Sequence, residues 1–393
     1  MRENPVFSRV LMKNVRVNLV GPIIHCSPDL TRVKIMLNAV KKYNTKGEFE
    51  MKKCVCYLLK CSVAAFISIV ILSLFSLVYY NPPMATVQPD LVTNSKFVPN
   101  TKWSYMTEGF GYGFVNDQGY NNAYYEDCSD PDVVFIGSSH LEAIQVPEDA
   151  NCVYLLNEKF DKDDLFNNDF KCLNLGISGH FFEVSASNFE YVVNTYKDAK
   201  YIVIEASNIE FSSSKLDDII NCKFHHPLNE RGFLYNTLQK VPYLRLIYKK
   251  INEINQADNS IVNSEASQLS EDNDINIYSD KMHVILERIL NLSEANGIEP
   301  IILMHERFFV DTDGNIVMRN DPAYKSAFKK CCKKVGIKVV DVSPAMIDHY
   351  KKTSAFSYGF SNSVPGKGHL NKIGHKIIAD VLYDRINEME GNK

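Results

Sequence analysis

The sequence predicts an α/β domain built on a parallel sheet and preceded by one membrane-crossing helix. Two observations lead there. Five short apolar runs alternate with stretches of helical periodicity, and strands that alternate with helices argue for a parallel sheet with right-handed crossovers. Ahead of them, Cys61–Tyr80 (CSVAAFISIVILSLFSLVYY) is 20 residues without a charge. About 20 apolar residues at a rise of about 1.5 Å span the roughly 30 Å of bilayer hydrocarbon.

The flanks of the apolar run give it an orientation. Tyr79 and Tyr80 close it, where amphipathic rings favour the interface, and Asn81-Pro82-Pro83 stops the helix. Lys52, Lys53 and Lys60 lie on the N-terminal side with Lys41, Lys42 and Lys46 upstream, whereas the nearest charges beyond the run are Asp90 and Lys96. The positive-inside rule then assigns residues 1–54 to the cytoplasm, 55–80 to a single-pass membrane anchor and 81–393 to the extracytoplasmic side. The run is long for the apolar core of a signal peptide and no clear small-residue cleavage site precedes Asn81, so an uncleaved anchor is expected. Residues 1–50 show no sustained period. Met51-Lys52-Lys53 is an ordinary start for a signal anchor, and the expectation is that translation begins at Met51; a native peptide from residues 1–50 would sink it.

Beyond the anchor, residues 81–114 read as a connector that turns strongly aromatic from Trp103, and 115–393 as the α/β domain. Asp132–Gly137, Phe170–Gly176, Lys200–Glu205, Pro300–Met304 and Ile337–Asp341 are the expected buried strands. Helices are expected near 181–196, where Phe182, Val184, Phe189, Val192 and Val193 make an apolar face, and near 278–296, 322–334 and 371–390. About 95 residues separate the third strand from the fourth, far more than a crossover needs. Within them 212–254 reads as helical and 256–275 as polar, and 212–275 is taken as an insertion, either a cap over the sheet's carboxyl edge or a lateral appendage.

Composition narrows the function. With 45% apolar and 11% aromatic residues, the chain buries a sizeable core and is not mainly disordered. Residues 1–60 hold 12 Lys/Arg against 4 Asp/Glu, but 81–393 hold 31 against 43. So acidic a domain is a poor nucleic-acid binder. Cys128, Cys152, Cys172, Cys222, Cys331 and Cys332 lie beyond the anchor, enough for disulfides in an oxidising compartment, with no pairing readable from spacing. None has zinc spacing, and His225-His226 and His305-Glu306 lack a complete ligand set, so they read as surface or strand-end residues; no metal or cofactor is expected.

In an open parallel sheet, ligands bind outside the carboxyl ends of the strands. Gly137-Ser138-Ser139-His140 follows the first strand, Gly176 and Gly179 the second, and Ala206-Ser207-Asn208 the third. Gly368-His369-Leu370-Asn371 precedes the last helix, with Gly374 and His375 beyond. A hydroxyl, backbone amides, a side-chain amide and an imidazole at one edge are what acyl transfer requires. These blocks, over about residues 115–390, resemble those of the SGNH (GDSL-type) hydrolase superfamily, and Asn116–Tyr120 resembles a lead-in found ahead of such domains. The resemblance implies a flavodoxin-like three-layer α/β/α fold. It implies Ser139 as nucleophile, His369 as general base, and the amides of Ser139 and Gly179 with the Asn208 side chain as oxyanion donors. Ser138 competes as nucleophile; His140 or His180 would line the site, His375 would be packed or capping, and Asn208 alone could be a helix cap.

Two positions depart from the pattern. Ala206 replaces a glycine, and Gly366 stands where the superfamily has the aspartate that orients the histidine. No substitute carboxylate can be placed from sequence. The first reading is a membrane-anchored esterase or O-acyltransferase acting on ester groups of an envelope carbohydrate, in the manner of membrane-anchored members of the superfamily. Its rival is a catalytically impaired module that binds glycan or a membrane protein partner; a lipase at the bilayer, using apolar residues 230–248, is a third.

Overall fold

The computed structural model describes residues 30–87, 95–122, 130–166, 170–223, 240–263 and 275–391. Cys128, His225-His226 and most of 256–275 lie outside them. The chain divides into two units, Met1–Ser68 and Ile69–Lys393. Helix α1 (Leu30–Tyr79) contains one stretch, Glu50–Tyr79, long and apolar enough to cross a membrane. Val63, Phe66 and Ile67 expose their side chains as a lipid-facing helix does.

Tyr80, read as the end of the anchor, and the described residues of 81–114, read as a connector, contribute to small antiparallel sheets. The elements are β1 (Tyr80–Asn81), β2 (Ala85–Val87), β3 (Ser95–Phe97), β4 (Lys102–Tyr105) and β5 (Gly111–Phe114). Strand β4 lies between β1 and β5, with Tyr80 opposite Tyr105 and Tyr105 opposite Gly111. The aromatic character of the stretch is used here: Trp103 is buried with Phe97, Val115 and Ile144 in a small core of its own.

The main domain follows in the order β6 (Val133–Ile136), α2 (Ser139–Glu142), α3 (Cys152–Phe160), β7 (Cys172–Asn174), α4 (Phe182–Ser187), α5 (Phe189–Thr195), β8 (Tyr201–Ala206), α6 (Ser213–Ile220), α7 (Pro242–Asn263), α8 (Ile275–Ala295), β9 (Glu299–Met304), β10 (Phe308–Val310), β11 (Ile316–Met318), α9 (Pro322–Val335), β12 (Lys338–Asp341), α10 (Ser343–Thr353) and α11 (Lys372–Gly391). All five expected strands are present and pair in parallel in the order β12-β9-β8-β6-β7. This is the flavodoxin-like order, with its switch point between β6 and β8. The helix expected over 181–196 breaks into α4 and α5 at Asn188.

Alternation along each strand builds the layers, because successive side chains leave a strand on opposite faces. Val134, Ile136, Ile202, Ile204 and Ile302 pack with Phe182, Phe189, Met282 and Phe328 on one face. Val133, Phe135, Val203, Ile301 and Leu303 pack with Leu156, Phe160, Ile378 and Leu382 on the other. The result is a three-layer α/β/α domain. Truncating a fully buried core residue such as Leu156 to Ala costs about 2–5 kcal/mol. Cys152, Cys172 and Cys332 are buried free thiols in these cores, Cys331 is buried and free, and Cys222 is half-buried and free. The disulfides allowed by their number are not formed among them.

In the insertion, α7 packs on β1. Arg245 donates to Asn81 Oδ1 at 2.8 Å and to the Pro82 carbonyl at 3.3 Å.

Candidate active site

The switch point forces the chain after β6 to turn sharply over the sheet. Ser138 caps the single-turn helix α2, and Ala143 closes it in the left-handed region at φ 57°. Ser139, the first helical residue, is thereby held at the sheet's carboxyl edge. The turn's carbonyls are clamped by asparagines: Asn121 donates to Glu142 at 2.7 Å, and Asn174 and Asn151 donate to Leu141 at 2.7 and 3.1 Å. Gly176 must be glycine, because a Cβ there would lie 2.4 Å from the Glu142 nitrogen.

Ser138 and Ser139 have different partners. The Ser138 hydroxyl, fully buried, donates to Glu205 Oε1 at 2.9 Å, and its N–H donates to Glu205 Oε2 at 2.6 Å. The Ser139 Oγ lies 3.0 Å from His369 Nε2. A serine hydroxyl in hydrogen-bond reach of an imidazole is the pairing that nucleophilic acyl chemistry needs.

His369 stands on a loop tied across its base before α11. Asn371 donates to the carbonyls of Phe356 and Gly359 at 2.7 and 2.9 Å, and Gly359 N–H donates to the His369 carbonyl at 2.9 Å. The other ring nitrogen, Nδ1, lies 2.8 Å from Glu108 Oε2, and Glu108 Oε1 accepts the His369 N–H at 2.9 Å. Sequence reasoning found no carboxylate here. Glu108 supplies it from the β4–β5 loop, in the stretch read as a connector. Burial pushes the Glu108 carboxyl up, but hydrogen bonds and charge from His369, with Lys249 helping, outweigh it and hold it below the usual carboxylate range. Gly368 is shaped for this contact: its φ is +80°, and a Cβ would meet Glu108 Oε1 at 2.1 Å. Its neighbour Gly366, at the superfamily's aspartate position, faces the Phe356 ring.

The loop that carries Glu108 is fixed on both sides. Asn362 accepts from Gly109 N–H at 2.8 Å and donates to the carbonyls of Met106 and Gly109 at 3.0 Å each. Phe110 N–H donates to the Gln145 carbonyl at 3.1 Å.

Gly179, at φ +89°, follows β7, and half-buried Asn208 follows β8, so both stand at the same sheet edge as Ser139. Ser178 donates to Glu142, whose carboxyl is driven by burial to about 7. His305-Glu306 follows β9 but is not a surface pair. His305 is buried between Glu205 Oε1 at 3.0 Å and the Tyr358 hydroxyl at 2.6 Å, and buried Glu306 pairs with Lys325 at 2.9 Å. The His140 ring packs edge-on against His305 and tilts over His369, with centroids 5.1 and 5.6 Å away. Burial holds its charged form well below the usual imidazole range. His375 is buried, accepts the Cys152 N–H at 3.3 Å, and is driven by burial to about 3, so it packs and caps.

No protein-family model and no curated protein sequence matches the chain. Among solved structures it is similar to GDSL-type and related esterases. The acetyl xylan esterase AlAXEase is 13% identical over 65% of this chain and 98% of its own, with a TM-score of 0.37. A putative GDSL-like lipase from Parabacteroides merdae is 11% identical over 67% and 98%, with a TM-score of 0.35. A two-domain esterase active on acetylated mannans is 12% identical over 67% and 50%, with a TM-score of 0.37.

Proposed function

We propose that the chain is a membrane-anchored, extracytoplasmic serine esterase or O-acyltransferase of the SGNH type, acting on ester groups of an envelope carbohydrate. One observation carries the chemistry: Ser139 Oγ, the two His369 ring nitrogens and the Glu108 carboxylate form a continuous chain with steps of 3.0 and 2.8 Å. Ser139 Oγ attacks the ester carbonyl carbon while His369 Nε2 takes its proton. Glu108 keeps the other proton on Nδ1 and stabilises the imidazolium that forms. The N–H groups of Ser139 and Gly179 and the Asn208 side-chain amide receive the oxyanion. Collapse breaks the bond to the alkoxy oxygen, which leaves with the proton from His369. Water or a sugar hydroxyl then gives its proton to His369 and takes the acyl group, and the proton passes from His369 Nε2 to Ser139 Oγ as the acyl bond breaks, which restores the free serine.

The impaired-module reading drew its case from Gly366; the contact of Glu108 with His369 Nδ1 at 2.8 Å supports the catalytic reading instead. The full chain should react with a fluorophosphonate probe, and Ser139→Ala and His369→Ala should each abolish the adduct. A folded chain that takes no label would sink the reading. Release of acyl groups from an acylated polysaccharide, against transfer to an added sugar, separates esterase from transferase. The anchor's orientation is checked by protease access to residues 81–393 in intact cells.

A further inference from the structure

Strand β9 lies between β8 and β12, so the chain leaving its carboxyl end enters the edge that carries Ser139. His305 comes first there, bonded to Glu205 and Tyr358. Two residues on, Arg307 opens the β10–β11 hairpin. Phe308 pairs with Met318, and the same register continued by one residue sets Arg307 opposite Arg319, whose N–H donates to the Arg307 carbonyl at 3.0 Å. Residues directly opposite on an antiparallel pair project to one face with Cβ atoms about 4.5–5.5 Å apart, and like charges there repel. Among the described residues neither guanidinium has a hydrogen bond or an ion pair. The neighbouring carboxylates are engaged elsewhere. His369 takes both Glu108 oxygens, Lys325 and the Asn320 N–H take Glu306, and Ser138 and His305 take Glu205. Yet Arg307 is half-buried, while Arg319 is exposed. Burial and the Arg319 charge hold the Arg307 guanidinium below its usual range, and its own charge reaches Tyr358, His140 and Glu108 at the site. Phe309, on the same hairpin face by strand alternation, is 52% exposed.

We propose that Arg307 and Arg319 form an anion-binding subsite beside the triad, so that the ester attacked by Ser139 is carried on an acidic glycan, with a carboxylate or phosphate close to the ester. The substrate half of the proposal rests on the esterase reading above; the anion site does not. A guanidinium presents paired N–H donors that match two oxygens of a carboxylate or phosphate. A bound anion also cancels the repulsion between the two arginines. Arg307, half-buried, contributes the larger share, because the charge of exposed Arg319 is screened by water and salt. The Phe309 ring gives the apolar face of a sugar a plane to lie against. The pair runs against the prevailing charge, since acidic side chains outnumber basic ones 43 to 31 over residues 81–393.

The test uses the full chain in detergent micelles, titrated calorimetrically with short oligomers of galacturonate, of neutral galactose and of glycerol phosphate. One of the two anionic oligomers should bind about tenfold or more tighter than the galactose oligomer, the worth of one charge-assisted hydrogen bond, and which of them does so tells carboxylate from phosphate. The preference should shrink as salt rises. Arg307→Gln should remove it, Arg319→Gln should reduce it about threefold, and Arg307→Lys should keep part of it, because the charge stays and the paired donors go. The melting transition of Arg307→Gln should be unchanged or raised, since a repulsion is lost. Should that variant fail to fold, Arg319→Gln and the salt dependence decide. Equal affinity for all three oligomers, or an anion preference that survives both glutamine variants, overturns the proposal. Fluorophosphonate labelling of the same sample separates the two readings. A labelled Ser139 without anion preference sinks the subsite alone. An anion preference lost in Arg307→Gln, with an inert Ser139, keeps the subsite and sinks the esterase chemistry.

Discussion

Ser139 and Glu108 are held by two regions built in different ways. Ser139 stands on a turn locked into the main domain: three asparagine side chains grip its carbonyls, and buried Glu205 grips the residue before it. Glu108 stands in a hairpin loop beside the main sheet, secured by Asn362, by Gln145 and by strand pairing to the residues that leave α1. Damage to the first region should therefore appear as lost stability. Damage to the second should appear as lost rate in a chain that remains folded.

The largest effect separates these outcomes directly. Glu108→Gln keeps the size of the side chain but permits the wrong imidazole tautomer and leaves the imidazolium unsupported. On the proposed mechanism turnover should fall about 10⁴-fold, with an unchanged melting transition. Wild-type turnover in this variant would remove the hairpin from the site and reopen the search for the group that orients His369.

Glu205→Ala should give the opposite profile. Its carboxylate serves the Ser138 N–H, the Ser138 hydroxyl and His305 at once, all buried. Removing it strands these groups without solvent, a loss of roughly 3 kcal/mol in urea unfolding. A variant as stable as the parent but slower would place Glu205 in the chemistry instead, and the contrast between the regions would fail.

Glu142 offers a smaller effect with a defined sign. Burial raises its folded-state carboxyl from an ordinary 4.5 to about 7. The folded state thus binds this proton more tightly than the unfolded chain. Its contribution to stability is complete below about pH 4.5 and is lost as pH rises toward 7, at up to about 1.4 kcal/mol per pH unit. Glu142→Gln cannot ionise, so stability measured across that window should decline less steeply. Parallel curves for the two proteins would show that Glu142 does not titrate there.

The same contrast governs what the sequence made legible. The five strands announce themselves because each is a short apolar run, and topology then places the segments after β6, β7 and β8 at one sheet edge; it was the resemblance to SGNH hydrolases that singled out Ser139, Gly179, Asn208 and His369 within and beyond those segments. Strand register, side-chain contacts across long separations and the small sheets at 80–114 have no such signature. Glu108 meets a histidine 261 residues away, and nothing local to either residue encodes that meeting. Two weak signals were present. The aromatic stretch from Trp103 calls for something to bury it, and glycines at 109, 111 and 113 suggest a backbone lying flush against another. Cβ atoms at 109 and 111 would indeed fall about 2 Å from the Gln145 and Ile144 carbonyls.

The smallest effect asks whether position 366, where SGNH hydrolases carry an aspartate, can take over from the hairpin. Gly366 has φ +77°, and a side chain there would start 3.2 Å from the Phe356 ring. Gly366→Asp should cost about 1–2 kcal/mol, the price of a left-handed backbone for an L-residue, lowered to the extent that aspartate tolerates that region. Placed in the Glu108→Gln background, it should restore turnover less than twofold, because its Cβ points to Phe356. Recovery of tenfold or more would mean that the 365–369 loop can turn its carboxylate onto Nδ1. The hairpin's role would then be a substitution the loop can reverse, and the two regions would be alternative sources of one group.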